Sequence, residues 1–533
     1  MTDSNEFLGH PKGLYVCFAT EMWERFSFYG MKYLLLLYLT KYHLFTDNMG
    51  LEVLGSYTGL VYALPVIGGV LADRYLGMRK AVLFGGSLLV LGHLLMAVEG
   101  HQAVQYDAGT VLSSSLALAN GEVLAAGTVL QETIKIQDTG ALNVFYLALA
   151  LIVVGVGFLK PNISTIVGQL YAPGDERRDS GFTIFYMGIN IGSFIATLVC
   201  GWLGETYGWG YGFGLAGIGM LIGLVTFIWG QKYLHGLAEP NDPEVMKQSA
   251  IGPINKEWAI YLCSFASLAL FWYVVQHESI VFAGQQVMLI AAAIGLLVYT
   301  VRGGTKEDVH RMLVLLVLIA STIVFWSLFE QSAGSMTLYA DRVVDREFAG
   351  ITFTASQFGA LNAGFIMLLA LPFAWLWIKL SKHGLNPNTA IKFGLGIVLA
   401  GLGFGALVFG AGSVDELGRI SMWWLVLAYL LHTMGELCLS PVGLSAVTKL
   451  SLHRIVGMAM GTWFLATALA ETVAQRIAKM ASIDTSTTDL NDIGSIVATY
   501  TELYTFLMWL GVGFGIFMIL ISPILKKGMH GVK

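Results

Sequence analysis

Fourteen apolar runs, each close to the length of a bilayer crossing, follow one another along the chain, and this succession limits the fold more than any other feature. They lie near residues 14–40, 53–72, 80–99, 143–170, 182–203, 211–234, 257–276, 284–301, 311–337, 353–379, 389–411, 420–448, 455–475 and 500–525. In lipid every backbone N–H and C=O must be satisfied within the protein, so runs of this length predict helices. With 56% hydrophobic and 12% charged residues among 533, the chain is excluded from the soluble multidomain class. The expected fold is an all-α polytopic membrane protein.

Basic loops stay on the cytoplasmic face, so lysine and arginine placement predicts orientation. With the N-terminus inside, twenty loop and edge cations fall on the inner side, and seven (Lys41, Lys135, Arg342, Arg346, Arg419, Arg476 and Lys479) fall outside. Both termini are therefore expected in the cytoplasm, of a bacterial inner (plasma) membrane. The formal net charge of −5 adds little to that argument. Three cations remain within apolar runs: Arg25, Lys32 and Lys160. Glu21, Glu24, Glu330 and Glu436 are the matching intramembrane acids, with Glu471 nearer an outer helix end. Four acids against three bases approaches the pairing that a buried network requires, because one unpaired charge dominates its cost.

Four of these groups crowd into the run from Gly13 to Leu39. At helical spacing, residues 21, 24, 25, 28, 29 and 32 fall within an arc of about 140° on one face. An ionised side chain at the bilayer centre costs ~2.5–3.5 kcal/mol even on the lenient insertion scale, so the face requires partners or water. Glu21 and Glu24 lie within a turn of Arg25, and they form either a structural lock or acceptors that exchange a proton against the salt bridge. Lys160 is central in its run, too deep to snorkel easily, and directly precedes Pro161, which can kink the helix there. All three bases lie in the N-terminal half, whereas Glu330 and Glu436 lie in the C-terminal half. A cavity between the halves would be positive on one wall and negative on the other, and would suit a zwitterion with separated termini. A dipeptide spans at most ~7 Å and a tripeptide ~10 Å, whereas an amino acid is short for such a cavity.

The remaining segments frame this core. Cys17, Cys200, Cys263 and Cys438 lie in apolar runs without metal-ligand spacing and read as packing residues. No small-residue cleavage site follows the first run, which is expected to stay as a helix. Residues 101–142 form a long outer loop, either a small β-hairpin within 109–136 or a loosely ordered connection. Residues 236–310 hold a linker and an apolar helical hairpin expected to be peripheral. The expected domains are thus a six-helix bundle over 1–235, the linker and hairpin over 236–310, and a second six-helix bundle over 311–533. Paired six-helix halves place a site between them.

After the second run comes Gly68-Gly69-Val-Leu-Ala-Asp73-Arg74-Tyr-Leu-Gly77-Met-Arg79-Lys80, which resembles the loop signature of the major facilitator superfamily. Asp73 can cap a helix or pair with Arg74 or Arg79. Four further stretches are Glu21-Met-Trp-Glu24-Arg25-Phe26-Ser-Phe28-Tyr29-Gly30, Gly157-Phe-Leu-Lys160-Pro161-Asn162, Phe185-Tyr-Met-Gly-Ile-Asn190-Ile-Gly192-Ser193 and Gly435-Glu436-Leu-Cys-Leu-Ser440-Pro441-Val-Gly443. Together with Phe325-Trp326 before Glu330-Gln331, they resemble the proton-coupled oligopeptide transporters, and they span nearly the whole chain.

The resemblance implies a major-facilitator fold of two six-helix bundles plus an inserted hairpin, and proton-driven symport of di- and tripeptides into the cytoplasm. It implies that Arg25, Lys32 and Lys160 face the peptide carboxylate and that Glu436 receives the amino terminus. Glu330 would pair with Lys32 as an outer gate that protonation releases, with Glu21, Glu24 and Arg25 handling the proton. Tyr29, Tyr62, Asn190, Trp326, Asn362 and Trp463 would line the cavity. Alternating access needs no covalent step, so no catalytic residue, metal or cofactor is expected, the proton gradient being the energy source. The expected partners are di- and tripeptides, protons and the lipid bilayer, with no nucleic acid and no obligate protein partner.

Three departures stand out. Phe28 replaces a tyrosine, Lys32 stands where arginine is common, and no histidine lies between Leu54 and Tyr62. Coupling is therefore expected to rest on carboxylates, with His432 the nearby alternative. The same architecture could carry nitrate, an amino acid conjugate or a drug, although an anion carrier has little use for Glu436. An enzyme or sensor built on the outer loop is disfavoured by its lack of cysteines or paired acids at catalytic spacing. No phosphate-cradling glycine loop points to ATP-driven pumping.

Overall fold

The computed structural model describes residues 6–118, 121–172, 174–240, 242–483 and 492–532. Fourteen helices of membrane length succeed one another among them: α1 Lys12–Lys41, α2 Asp47–Leu76, α3 Met78–Met96, α4 Thr139–Gln169, α5 Arg177–Tyr207, α6 Trp209–Leu234, α7 Lys256–Val274, α8 Glu278–Gly303, α9 Lys306–Arg342, α10 Ser356–Lys382, α11 Thr389–Gly410, α12 Met422–Leu450, α13 His453–Ala481 and α14 Ile493–Gly528. Thirteen are long and apolar enough to cross a membrane; α1 has the length but carries too many charges to qualify by composition. Several helices outrun their apolar cores, because polar residues cap or pair at their ends. The side chain of Thr46 accepts the Met49 N–H and starts α2 six residues before its apolar run.

Helix α1 packs against α5 and α6, and α3 against α4 and α6; α11 packs against α12 and α14, and α9 against α13. Between these two groups α2 meets α13 and α5 meets α10. Glycines permit the closest approaches: a Cβ on Gly68 of α2 would collide with the Gly157 carbonyl of α4. That contact lies beside Pro161, where the missing N–H is accompanied by a side-chain bond from Asn162 to the Phe158 carbonyl (2.6 Å).

The ends of the bundle differ. On the terminal side, α2 finishes in a π turn at Ala72–Leu76, and Gly77 turns the chain at φ 73°. Gly77, not Asp73, stands at the N-cap of α3. Arg79 pairs with Glu239 of the linker and donates to Gln231 (2.9 Å), while Lys80 holds Glu257 at the start of α7 (2.7 Å). On the loop side, antiparallel pairs run through the described residues of the connection: Val104–Tyr106 pairs with Ile134–Ile136, Val111 bridges Val129, and Leu116–Ala117 pairs with Val123–Leu124. The chain therefore takes the ordered alternative for this loop.

The inserted hairpin is less peripheral than its sequence suggests. Helix α7 lies on α4, and Trp272 donates to the Asn143 carbonyl (3.2 Å). Helix α8 instead packs on α9, α13 and α2, covering the seam between the two groups. Cys263 is exposed on α7, while Cys17, Cys200 and Cys438 are buried, so one of the four cysteines expected as packing residues is not.

Candidate functional site

Helix α1 threads the centre with all four of its intramembrane charges buried. Arg25 turns toward its own helix: its guanidinium pairs with Glu24, Nη2 donating to Oε1 at 2.6 Å, and its Nε lies 3.4 Å from Glu21 Oε1. Two turns on, along the same face, Lys32 crosses to the second bundle. Its Nζ donates to Glu330 Oε2 of α9 at 2.7 Å and lies 3.4 Å from Glu471 Oε1 of α13. The ring of Phe28 stands between the cations, 5.0 Å from the Arg25 guanidinium carbon and 5.8 Å from Lys32 Nζ. Two cations thus share the aromatic face of this one ring.

The other wall is built from α10 and α12. Asn362 donates to Glu436 Oε2 (2.9 Å) and to Thr433 (3.1 Å), which fixes a buried carboxylate with one proton donor. Lys160 of α4 holds its ammonium 4.2 Å over the Tyr62 ring of α2. Tyr29 lies where the fields of Arg25, Lys32, Glu330 and Glu436 meet, and Tyr186 of α5 lies in the field of Glu436. Between a partly buried ammonium and a hydrogen-bonded carboxylate, such walls can receive a ligand carrying both charges.

Toward the loop side the bundles are tied together. Asp47 of α2 takes a two-pronged pair from Arg342 of α9 at 2.6 and 2.7 Å and accepts the Ile483 N–H at 2.8 Å. Lys41 reaches Asp341 at 2.5 Å, Lys479 reaches Glu52 at 2.9 Å, and Glu205 accepts from the Ser356 N–H at 2.9 Å. Thr472 of α13 donates to the Gly55 carbonyl of α2 or to Gln285 of α8, at 3.2 and 2.9 Å. The Lys32 cluster is the innermost layer of this seal.

Sequence reasoning placed Glu21, Glu24 and Arg25 in one cluster and Lys32 opposite Glu330, and the structure brings both sets together. Arg25 and Lys32 are committed to acids, which leaves Lys160 as the base turned to an aromatic ring. Asn190 donates to the Tyr186 carbonyl of its own helix (3.1 Å). Trp326 packs edge-on to Phe325 and Phe329, and Trp463 is buried against Phe393 and Gly443 inside the second bundle. His432 lies among Phe404 and Phe329 with both ring nitrogens unpartnered. A cavity of about 890 Å³ at the terminal end of the second bundle, bordered by Lys392, Pro441 and Lys526, holds none of the candidate site residues. Two residues of the site were missed. Tyr186 stood inside a quoted motif, one turn before Asn190, and Glu471 was set aside for its nearness to a helix end.

The sequence matches the POT family over residues 79–496. It is 36% identical over 492 residues to the peptide transporter YePEPT of Yersinia enterocolitica, covering 88% of this chain and 87% of that protein. It is 31% identical over 526 residues to dipeptide and tripeptide permease A of Erwinia pyrifoliae, covering 97% and 94%. Among solved structures, the peptide transporter POT in complex with sulfate superposes with a TM-score of 0.78 at 33% identity, covering 99% of this chain and 97% of that one.

Proposed function

Because the chain belongs to the POT family, we propose that it is a proton-driven symporter that moves di- and tripeptides into the cytoplasm by alternating access. The observation that carries this reading is the Lys32–Glu330 pair, which joins the two bundles at the base of the loop-side seal. The Lys32–Glu330 bond lasts only while Glu330 is ionised, so protonation of Glu330 releases α1 from α9 and weakens the loop-side seal. Loop-side closure leaves the terminal side as the route of release, and the lysine and arginine bias assigns that side to the cytoplasm.

The substrate assignment follows from the two walls. The Glu436 carboxylate, with Asn362 as one donor, can accept the peptide ammonium. Lys160, resting on Tyr62, can leave the ring for the peptide carboxylate at small cost, since a cation–π contact is worth only about 0.5–2 kcal/mol.

The test is uptake into proteoliposomes containing the purified protein. An inward proton gradient is expected to accumulate labelled dialanine and trialanine, and unlabelled dipeptide to compete. Uptake that ignores the gradient, or competition by free amino acids but not by dipeptides, refutes the proposal.

A further inference from the structure

Five buried acids, not four, accompany the three intramembrane bases: Glu471 is fully buried, although its position in the sequence suggested a helix end. Its Oε1 lies 3.4 Å from the Lys32 ammonium that also holds Glu330 at 2.7 Å. The carboxyl groups of Glu471 and Glu330 also lie within hydrogen-bonding reach of each other, and Glu471 Oε2 meets no donor. The groups facing this pair are Tyr29, Lys32 and Tyr33 from α1, Tyr57 and Tyr62 from α2, Tyr429 and Glu436 from α12, and, farther off, Lys160 from α4. From α8 comes Gln285, which is neutral and bonded to Thr472. Lys32 is the one cation of this set in contact with the carboxyl groups.

We propose that Glu471 is a second acid of the gate, and that in the loop-side-closed state Glu330 and Glu471 hold one proton between them. One ammonium with two carboxylates leaves a net negative charge out of water, and two close carboxylates cannot both ionise there at tolerable cost. A single proton makes the set neutral. It also supplies the donor that the carboxyl pair lacks. When the O–H bond on Glu471 breaks as one forms on Glu330, Lys32 changes partner from Glu330 to Glu471, and the net charge stays at zero. When the bundles part, Lys32 leaves with α1, and both acids remain on the second bundle to exchange protons with loop-side water. The shared proton thus stays with the second bundle as the gate opens, a role in gating that rests on the symport reading.

The test is infrared difference spectroscopy of the full-length protein without peptide at neutral pH. A protonated-carboxyl band is expected in the unsubstituted protein and is expected to be lost in both Glu471→Gln and Glu330→Gln, because either change leaves one acid fully ionised against Lys32. Glu471→Asp is expected to keep it. A band that survives both glutamine variants, or no band at all, overturns the shared proton. A protein that keeps the band but takes up no peptide would refute the substrate assignment alone.

Discussion

Lys32 reaches acids on two helices from a single nitrogen, which the compact ammonium of lysine permits. An arginine's planar fork is built instead to bind one carboxylate two-pronged. Glu436 is the corresponding single point on the opposite wall, with Asn362 as its amide partner. Glu436→Gln keeps the shape but loses the charge. A hydrogen bond to a charged group contributes about 1.5–3 kcal/mol, so KM for dialanine is expected to rise roughly ten- to a hundredfold with kcat changed less, read from initial uptake rates. Residues of this kind were legible in the sequence because a charge amid an apolar run is costly enough to need a reason, and Arg25, Lys32, Glu330 and Glu436 all satisfy that test. Glu471 did not, because near the end of a run an acid is cheap, and its burial comes from α2 and α8 packing over α13. Trp463 illustrates the opposite limit. An indole in a membrane helix gives no sign of facing a cavity or a neighbouring helix, and here it meets Gly443.

At the scale of elements, the helices were legible from apolar length and the connections were not. The loop-side hairpin leads into α4 at Asp138, whose side chain accepts the Ala141 N–H (3.0 Å) and the His101 N–H (3.1 Å). These bonds, first the one to Ala141, hold its carboxyl down at about 2. The folded-state value is depressed, so the capping contribution is fully present above the ordinary carboxylate range and is lost as pH falls through about 2. Asp138→Ala is expected to destabilise the start of α4 by about 1 kcal/mol. The effect should appear as a lower thermal midpoint at neutral pH, with transport left nearly intact. The hairpin of α7 and α8 was legible as an insertion, whereas its position across the seam was not. Gln285 and Gln286 stand together in an apolar helix, and only the bonds of Gln285 to the Ala468 carbonyl and Thr472 show which helix it serves.

For the whole molecule, the all-α major facilitator fold expected from the sequence is the one observed. The sequence did not indicate which face would be closed, because closure depends on pairs between residues that the charge census had left in separate outer loops. Asp47 and Arg342 are such a pair, both largely buried. Removing one partner of a buried pair costs about 3–5 kcal/mol, since the other charge is left uncompensated. Arg342→Met is therefore expected to shift the population away from the loop-side-closed state. The measurement is the distance between spin labels placed at exposed positions 348 and 207, which should broaden toward longer values. Combining Arg342→Met with Asp47→Asn should restore most of the original distribution, and a single variant with an unchanged distribution would remove this pair from the gate.

The same seal bears on how the protein is made. Asp47 is synthesised 295 residues before Arg342, Gly55 is synthesised 417 residues before Thr472, and Glu52 is synthesised 427 residues before Lys479. The first bundle must therefore insert with its loop-side acids and carbonyls still waiting for partners, and α13 is the helix that brings several of them. A chain cut just before α13 would keep most of its apolar length yet leave α2 and α8 presenting polar groups to lipid. Such a product is expected to be cleared by membrane proteolysis rather than to persist as a partly active carrier.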